Sequence, residues 1–489
     1  MTLELNELEV RKNKLDELIQ NGENPFKYTY KANASVEETL KKYDHITIED
    51  MISEEYSLAG RLIARRGHGK ACFANILDQT GKIQLYAKQD VLGEEKYKAF
   101  EKLDIGDIVG IKGVPFRTHK GELSLRLTDL TLLTKSLHPL PEKFHGLTDK
   151  ELRYRKRYVD LIANPEIRET FLIRSKIISF IRRYLENKNF MEVETPILNP
   201  IAGGATARPF ITHHNALDMD LFMRIAPELY LKRIIVGGFE KVFEIGRVFR
   251  NEGISYKHNP EYTLLELYEA YADYYDIMNL TENILSSALM EVKGTMQFTY
   301  QGVDLDFKPP FCRMTMTDAV KKYTGIDIDQ PLESIKKQAL AKKVEVTADL
   351  TKGQTINMIY DELVEHHLIQ PTFILDYPIE TSPLAKKKRD NDKLVERFEL
   401  IVNGMEIANA FSELNDPIDQ RERFLEQVKE REAGDEEAQM MDTNYVEALE
   451  YGMPPTGGLG IGIDRIVMLF TDSASIRDVI FFPHMRNKE

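Results

Sequence analysis

Two short apolar runs with a charged loop between them constrain the fold of this chain more than any other stretch. The first run, 241–249, is rich in β-branched and aromatic residues, and the second, 261–268, is apolar with carboxylates interspersed. This composition predicts two strands joined as a hairpin by the polar loop 251–260. The hairpin would present Arg250 and Glu252 at its lip. Taken alone, the pattern is more typical of two antiparallel strands with a solvated loop and surface ion pairs than of a functional site.

A second stretch near the C-terminus favours a functional site over surface ion pairs. Residues 457–463 read Gly-Gly-Leu-Gly-Ile-Gly-Ile, and Asp464, Arg465 and an apolar run follow. Alternating glycines let a ligand or another backbone approach a strand closely. The apolar run predicts a helix packed under that strand. By itself, a glycine-rich strand before a helix is only a weak signal for phosphate binding.

Together these stretches resemble the signature motifs of class II aminoacyl-tRNA synthetases. Arg250-Asn251-Glu252 stands at the second motif, and the segment from Gly458 to Arg465 stands at the third. The variable first motif matches 190–196, where a strand ends at a proline after a predicted helix over 167–187. The resemblance covers nearly the whole chain and, within the class, is to lysyl-tRNA synthetases of the bacterial type. It implies a homodimer formed through the first motif.

Composition sets the outer limits. A length of 489 residues predicts two or more domains. No apolar run approaches the roughly 20 residues of a membrane span, and the N-terminus lacks a signal-peptide pattern, so we expect a cytoplasmic protein without membrane contact. Cys72 and Cys312 are too few and too far apart for a disulfide framework. A net charge of −14 argues against nucleic-acid binding over the whole surface but not through a local basic face.

The chain divides by pattern into two α+β regions. After an N-terminal helix, short glycine-punctuated strands predict a five-stranded OB-fold barrel with a helix after the third strand. The boundaries we predict are 1–137 for the helix and barrel, 138–150 for a linker and 151–489 for a catalytic domain, with a mostly helical insertion at about 313–370. The resemblance implies that this domain has a mainly antiparallel sheet flanked by helices. The run Lys386-Lys387-Lys388-Arg389 predicts a mobile basic loop.

In an OB-fold barrel, exposed aromatic and polar side chains bind unpaired bases. Phe73 would stack on a base, while Arg65, Gln84 and Glu122 would read base edges. Each of these alone is also typical of plain barrel surface. The resemblance favours the first interpretation, because this subgroup of synthetases binds the tRNA anticodon with its N-terminal barrel.

The resemblance implies condensation of lysine with ATP and transfer of the lysyl group to tRNA(Lys). Arg250 would hold the α-phosphate and the lysine carboxylate, and Arg465 the γ-phosphate, as the catalytic residues. Glu252 would accept from the adenine amino group, Tyr262 would stack on the ring and His258 would lie near the phosphates. The family commonly has phenylalanine at the position of Tyr262, and either side chain offers a stacking face.

Two glutamates form the predicted metal site. Glu399 and Glu406 flank Asn403-Gly404, which is a strong hairpin signal. Exposed glutamates beside a tight turn are the simpler interpretation, but carboxylates facing one another would suit Mg²⁺ that bridges ATP phosphates. By resemblance we expect up to three Mg²⁺ ions per subunit, with Glu399 also counted among the ATP-binding residues.

Substrate choice is predicted from charge, since a buried ammonium group needs carboxylate partners. The candidate lysine-binding residues are Gly204, Glu228, Glu266, Tyr268, Asn409, Phe411 and Glu413. Glu228 would pair with the α-amine and Glu413 with the ε-amine. The alternatives are an aspartyl- or asparaginyl-tRNA synthetase, a synthetase-like enzyme that lysylates protein, and a non-catalytic RNA-binding protein. An acidic pocket argues against the first, and the complete barrel and motifs argue against the others.

Overall fold

The chain divides into two compact units. The computed structural model describes residues 2–67, 69–141 and 147–487. One unit spans Met1–Thr148 and the other Asp149–Glu489. The predicted linker 138–150 lies partly outside the described residues. Within the described part of the chain, no helix is long and apolar enough to cross a bilayer.

The first unit is a closed five-stranded barrel with helices around it. Its elements in chain order are α1 (Thr2–Gln20), α2 (Val36–Tyr43), β1 (Tyr56–Arg66), β2 (Ala71–Leu77), β3 (Lys82–Lys88), α3 (Gln89–Leu92), α4 (Glu94–Lys102), β4 (Ile108–Arg117) and β5 (Leu123–Thr134). The strand order is β1-β2-β3-β5-β4, with β3 and β5 parallel. Alternate residues of β1, such as Leu58 and Leu62, are buried inside the barrel. The predicted OB-fold barrel is confirmed.

The second unit opens with helices and short strands that precede the central hairpin. These elements are α5 (Lys150–Arg155), α6 (Arg157–Ala163), α7 (Ile167–Glu186), β6 (Met191–Glu192), β7 (Leu198–Asn199), β8 (Ile211–His214), β9 (Met219–Met223), α8 (Glu228–Val236), β10 (Lys241–Phe249), β11 (Glu261–Ala270) and α9 (Tyr274–Lys293). Strands β10 and β11 are paired antiparallel along their whole length. The predicted hairpin is therefore present.

The insertion and the C-terminal half complete this unit. Their elements are β12 (Gln297–Tyr300), β13 (Val303–Asp306), β14 (Cys312–Thr315), α10 (Met316–Thr324), α11 (Leu332–Ala341), α12 (Lys352–Leu363), β15 (Thr372–Pro378), β16 (Lys387–Lys388), β17 (Asn391–Val402), β18 (Met405–Ser412), α13 (Pro417–Glu432), α14 (Thr443–Glu450), β19 (Thr456–Gly462), α15 (Ile463–Phe470) and α16 (Ile476–Val479). Two single 3₁₀ turns, Glu365–His367 and Ile379–Thr381, lie between these elements.

One large sheet organises the second unit. Its strand order is β14-β15-β17-β18-β19-β11-β10-β6, and every pair is antiparallel except the two outermost pairs. Helices α7, α9 and α15 bury their apolar faces against one side of the sheet. Helices α8 and α14 contribute to a smaller apolar cluster with Val242 and Tyr268. The prediction of a mainly antiparallel sheet flanked by helices is confirmed.

One basic run differs from its predicted character. Lys386-Lys387-Lys388-Arg389 is not a mobile loop, because Lys388 pairs with Asp376 at 2.8 Å and Arg389 pairs with Glu396 at 2.8 Å. The strand β16 within the run adds backbone bonds to β17. In α6, Arg157 is fully buried and donates to Asp160 at 2.7 Å. Partners more distant in sequence add to these contacts, since Arg389 also pairs with Asp273 and Arg157 donates to the backbone oxygen of Phe481.

Candidate active site

A cavity of about 370 Å³ opens above the central strands of the large sheet. Its size is typical of small-molecule sites. The cavity is lined by β11, β17, β18 and β19, by the loop after β10, by the first turn of α8 and by the first turn of α15. Every residue predicted to bind ATP, metal or the amino acid lines it, namely Gly204, Glu228, Arg250, Glu252, His258, Tyr262, Glu266, Tyr268, Glu399, Glu406, Asn409, Phe411, Glu413 and Arg465.

Glycines in β19 create the floor of the cavity. Gly458 and Gly460 lie opposite Tyr268 and Glu266 of β11 in the antiparallel register. A Cβ atom at Gly458 would lie 1.9 Å from Glu413 Oε1 and 2.5 Å from the Tyr268 ring, which no packing permits. Alternate residues of a strand face the same side, so the glycines at 458, 460 and 462 clear one face. The glycines of β19 therefore leave room for side chains from neighbouring segments, such as Tyr268 and Glu413.

Arginines dominate one end of the cavity, which we call the nucleotide end (Arg250, Glu252, His258, Tyr262, Arg397, Glu399, Glu406 and Arg465). The Arg250 guanidinium lies 5.4 Å from the centroid of the Tyr262 ring, and its buried Nε has no hydrogen-bond partner. Arg465 donates to the Glu406 backbone oxygen at 2.5 Å and to Glu406 Oε2 at 3.2 Å. An unpaired buried donor is costly, so Arg250 is suited to receive an anion.

The loop between β10 and β11 is tied to this end. His258 Nδ1 lies 2.9 Å from Ser255 Oγ, and its Nε2 lies 3.2 Å from the Arg465 guanidinium. Burial lowers the pKa of His258, and the nearby Arg465 lowers it further. Burial also raises the pKa of Glu252, although Arg250 opposes that change. The imidazole is therefore neutral near pH 7 and free of the charge that would compete with the arginines.

The two predicted metal ligands lie on adjacent strands joined by a tight turn. Asn403 and Gly404 have φ values of +49° and +63°, as a type I′ turn requires. Burial raises the pKa of Glu399 to about 7, partly opposed by Arg397, which donates to Glu399 at 2.6 Å. Burial also acts to raise the pKa of Glu406, but Arg465 and Arg250 outweigh it and lower the pKa.

These carboxylates fit a magnesium ion only in part. Among the described residues, no group of three or more His, Cys, Asp or Glu side chains is placed to hold a metal. Mg²⁺ commonly takes one or two carboxylates and completes its shell with water and substrate phosphates. Glu399 and Glu406 fit that pattern. The two carboxylates repel each other when both are ionised, and a cation bound to them would relieve that repulsion.

Carboxylates dominate the other end, which we call the amino-acid end (Gly204, Glu228, Glu266, Tyr268, Asn409, Phe411 and Glu413, with Lys232 behind Glu228 and Glu413). Glu228, Glu266 and Glu413 are each at most 5% exposed. Tyr268 donates to Glu266 Oε2 at 3.2 Å, and Glu413 Oε1 has no hydrogen-bond partner. Burial raises the pKa of Glu413 to about 8, and burial likewise raises the pKa of Glu228 and Glu266. This end is therefore built to receive cations.

Two side chains at the site were missed by sequence reasoning. Lys232 is fully buried, and its ammonium contacts both Glu228, at 2.5 Å, and Glu413. Arg397 pairs with Glu399 and donates its Nε to Asn409 at 3.2 Å. A signal existed for each, since Lys232 follows Glu228 by four residues on a helix and Arg397 precedes Glu399 by two on a strand. Both spacings place the cation on the same face as the carboxylate.

Three of the barrel residues predicted to contact bases, Arg65, Phe73 and Gln84, lie on its strands, and Glu122 directly precedes β5. Phe73 is 37% exposed, and its ring centroid lies 4.9 Å from that of Tyr86, which in turn lies 5.8 Å from that of Phe116. Gln84 donates to Glu122 at 2.8 Å. Arg65 donates to backbone oxygens of Phe100, Glu101 and Leu103 at the end of α4. Sequence reasoning did not anticipate the aromatic row formed with Tyr86 and Phe116.

Comparison with known proteins agrees with this architecture. The family described as tRNA synthetases class II (D, K and N) matches residues 149–486, and the OB-fold nucleic acid binding domain matches residues 56–133.

Similar proteins named lysine--tRNA ligase come from several bacteria. One from Carboxydothermus hydrogenoformans is 56% identical over 99% of each chain. One from a Thermoanaerobacter species is 56% identical over 100% of this chain and 97% of the relative. One from Halalkalibacterium halodurans is 55% identical over 99% of this chain and 97% of the relative. With two matched domains and full-length similarity, this chain belongs to the class II tRNA synthetases of the D, K and N group.

Proposed function

We propose that the protein is a lysine–tRNA ligase, which activates L-lysine with ATP and transfers the lysyl group to the 3′ end of tRNA(Lys). The observation that carries this proposal is the charge at the amino-acid end of the cavity. Three buried carboxylates meet there with a single buried lysine. A substrate with two ammonium groups supplies the missing positive charge, whereas a neutral or acidic side chain does not.

The activation step needs charge compensation more than proton transfer. An ionised lysine carboxylate attacks the α-phosphorus of ATP, the new O–P bond forms, and pyrophosphate leaves with the electrons of the broken P–O bond. Arg250 holds the α-phosphate and the carboxylate, and a planar guanidinium suits two oxygen partners at once. Arg465 holds the γ-phosphate. Glu252 and Tyr262 receive the adenine ring, and His258 lies near the phosphates as a neutral side chain.

Magnesium completes the charge compensation at the phosphates. Glu399 and Glu406 would hold it, and we expect up to three ions per subunit. When bound, Mg²⁺ neutralises charge on the phosphate oxygens. Arg397 and Arg465 fix the two carboxylates in place before any ion arrives.

At the amino-acid end, Glu228 pairs with the α-amine of lysine, and Gly204 leaves room beside it. A Cβ atom at Gly204 would lie 3.1 Å from the Cβ of Glu228. Glu413, Tyr268 and Glu266 receive the ε-amine. Asn409 and Phe411 line the path between the two ends.

Recognition of tRNA(Lys) falls to the barrel. The half-exposed ring of Phe73 offers a stacking surface for an unpaired base, while Gln84 and Glu122 form a polar pair beside it. Arg65 adds positive charge near the same strands. A tRNA with a lysine anticodon should be charged efficiently, and changing that anticodon should reduce charging without changing lysine activation.

We also propose a homodimer that works in the cytoplasm, where ATP, lysine and tRNA occur together. The small sheet β7-β9-β8, next to the first motif, exposes large apolar side chains. These are Leu198, Ile211, Leu217 and Met219. Clustered exposed apolar residues indicate a protein interface. Light scattering that finds an active monomer would contradict the dimer.

The main experiment is ATP–pyrophosphate exchange with each of the twenty amino acids in turn. Lysine alone should support rapid exchange, and the enzyme should then charge tRNA(Lys). Exchange driven by aspartate or asparagine would favour the nearest alternative. Against that alternative, Lys232 already has two carboxylate partners and so is not free to pair with an acidic side chain.

A further inference from the structure

A lysine side chain is sealed behind the wall of the amino-acid end. Lys232 is 0% exposed and does not line the cavity, whereas its partners Glu228 and Glu413 do. Its Nζ lies 2.5 Å from Glu228 Oε1 and also contacts Glu413 Oε2. The two carboxylates therefore stand between a fixed internal ammonium and the space where a ligand binds.

The other groups around this ammonium do not neutralise the wall. The Tyr268 ring from β11 lies 5.9 Å from Nζ, and Tyr445 from α14 is close enough to act on it electrostatically. Glu266 on β11 adds a third carboxylate, and Arg397 on β17 already pairs with Glu399. When all three carboxylates are ionised, Lys232 leaves two negative charges unbalanced.

We propose that Lys232 is a positioning residue that sets the specificity of this site for an amino acid with two ammonium groups. It holds one oxygen each of Glu228 and Glu413, so that their other oxygens remain for the ligand. This inference rests on the proposed lysine activation and adds a residue that acts through its carboxylate partners.

The physical reason is competition for protons. Two carboxylates that face one small space without a cation hold a proton between them, and a protonated carboxyl group is a poor partner for an ammonium ion. A permanent ammonium behind the wall opposes the rise that burial causes in both pKa values, so that both groups become available for pairing at a lower pH. A ligand with two ammonium groups then balances the wall, whereas a neutral analogue leaves a buried carboxylate uncompensated.

The test uses the full-length Lys232→Met variant, which removes the charge with little change in volume. The KM for lysine in pyrophosphate exchange is measured from pH 6 to pH 8.5, together with the KM for ATP. In the wild type, the KM for lysine should fall as the pH rises and the carboxylates ionise. In the variant, this fall should occur at least about one pH unit higher, so that the KM for lysine at a fixed pH is about tenfold larger. The KM for ATP should change little. A uniform loss at every pH, or an equal change in both KM values, would overturn the proposal.

Two further variants separate charge from packing. Lys232→Arg keeps the charge and should keep the wild-type pH profile even if the lysine KM rises. If Lys232→Met does not fold, this variant decides the question, because a shifted profile or an equal rise in the KM for ATP would contradict the proposal. Arg233 lies next to Lys232 on α8 and pairs with Asp442. Arg233→Met removes that ion pair and should leave the pH profile of the KM for lysine unchanged.

The proposed function has its own readout in the wild-type enzyme. If wild-type protein exchanges pyrophosphate with lysine and the Lys232→Met profile is unchanged, only the role of Lys232 is wrong. If another amino acid drives exchange in the wild type, the assignment of lysine itself is wrong.

Discussion

The nucleotide end and the amino-acid end of the cavity lie on the same sheet but manage charge in different ways. At the nucleotide end, Arg397 and Arg465 contact Glu399 and Glu406 directly. At the amino-acid end, three carboxylates are buried, and Lys232 contacts two of them, Glu228 and Glu413. One end presents cations and paired carboxylates, and the other presents an excess of carboxylates.

Under the proposed function, this difference explains how one cavity would bind ATP at one end and lysine at the other. Polyphosphate is drawn to guanidinium groups, which remain charged at any physiological pH. A diammonium ligand is drawn to carboxylates whose pKa values burial has raised. The nucleotide end should therefore respond weakly to pH through its arginines, while the amino-acid end should respond strongly. The following experiments probe that contrast.

The largest effect should come from Arg250→Met. In the proposed reaction this guanidinium faces the charge that develops at the α-phosphorus, so its loss should lower the exchange rate about 10³-fold. Pyrophosphate exchange with lysine measures it directly. Arg247→Met is the matched control, because Arg247 lies on β10 and pairs only weakly with Glu261 at 3.6 Å. A loss below tenfold for Arg250→Met would remove Arg250 from the catalytic role.

Replacing Glu413 by glutamine should affect the opposite end. One ammonium loses its charge partner, which costs about 1.5–3 kcal/mol and raises the KM for lysine about 10- to 100-fold. The KM for ATP should stay close to the wild-type value and serves as the internal control. An equal rise in both constants would mean that the two ends are not independent.

Gly458→Ala should damage the floor where the amino-acid end is most tightly packed. The new methyl group would meet Glu413 Oε1 at 1.9 Å, and overpacking of this kind costs about 1–3 kcal/mol of unfolding free energy. Thermal or denaturant unfolding without ligand measures it. Gly460→Ala is the control, because its nearest neighbour would lie at 3.8 Å. Equal destabilisation by both changes would contradict the assigned packing.

The last expected effect is the pH dependence of stability. Burial raises the pKa of Glu413 to about 8 from an ordinary 4.5. The folded state therefore binds this proton more tightly, and its stabilising contribution is lost as pH rises from about 4.5 through about 8. Added lysine should restore more stability at pH 8 than at pH 6. Glu413→Gln should reduce the dependence, with Glu228 and Glu266 accounting for the part that remains, and a wild-type profile in that variant would exclude Glu413 as a source.

Much of the architecture was readable from local sequence patterns. Alternation and glycine spacing predicted the barrel strands, and the apolar runs around 251–260 predicted the central hairpin. The run 386–389 was misjudged, because one of its carboxylate partners, Asp273 for Arg389, comes from a distant segment. Sequence spacing identifies which residues share a face of one element but not which element lies opposite.

The sequence by itself determined the family resemblance, the glycine-alternating strand and the chemical inventory of guanidiniums and carboxylates. Only the tertiary structure brought Glu228 of α8 and Glu413 beyond β18 to the same buried ammonium. It also showed that Gly458 is needed because Glu413 and Tyr268 occupy the space beside it. The physical reason is that burial and charge compensation depend on contacts between residues far apart in the chain, and local periodicity carries no information about those contacts.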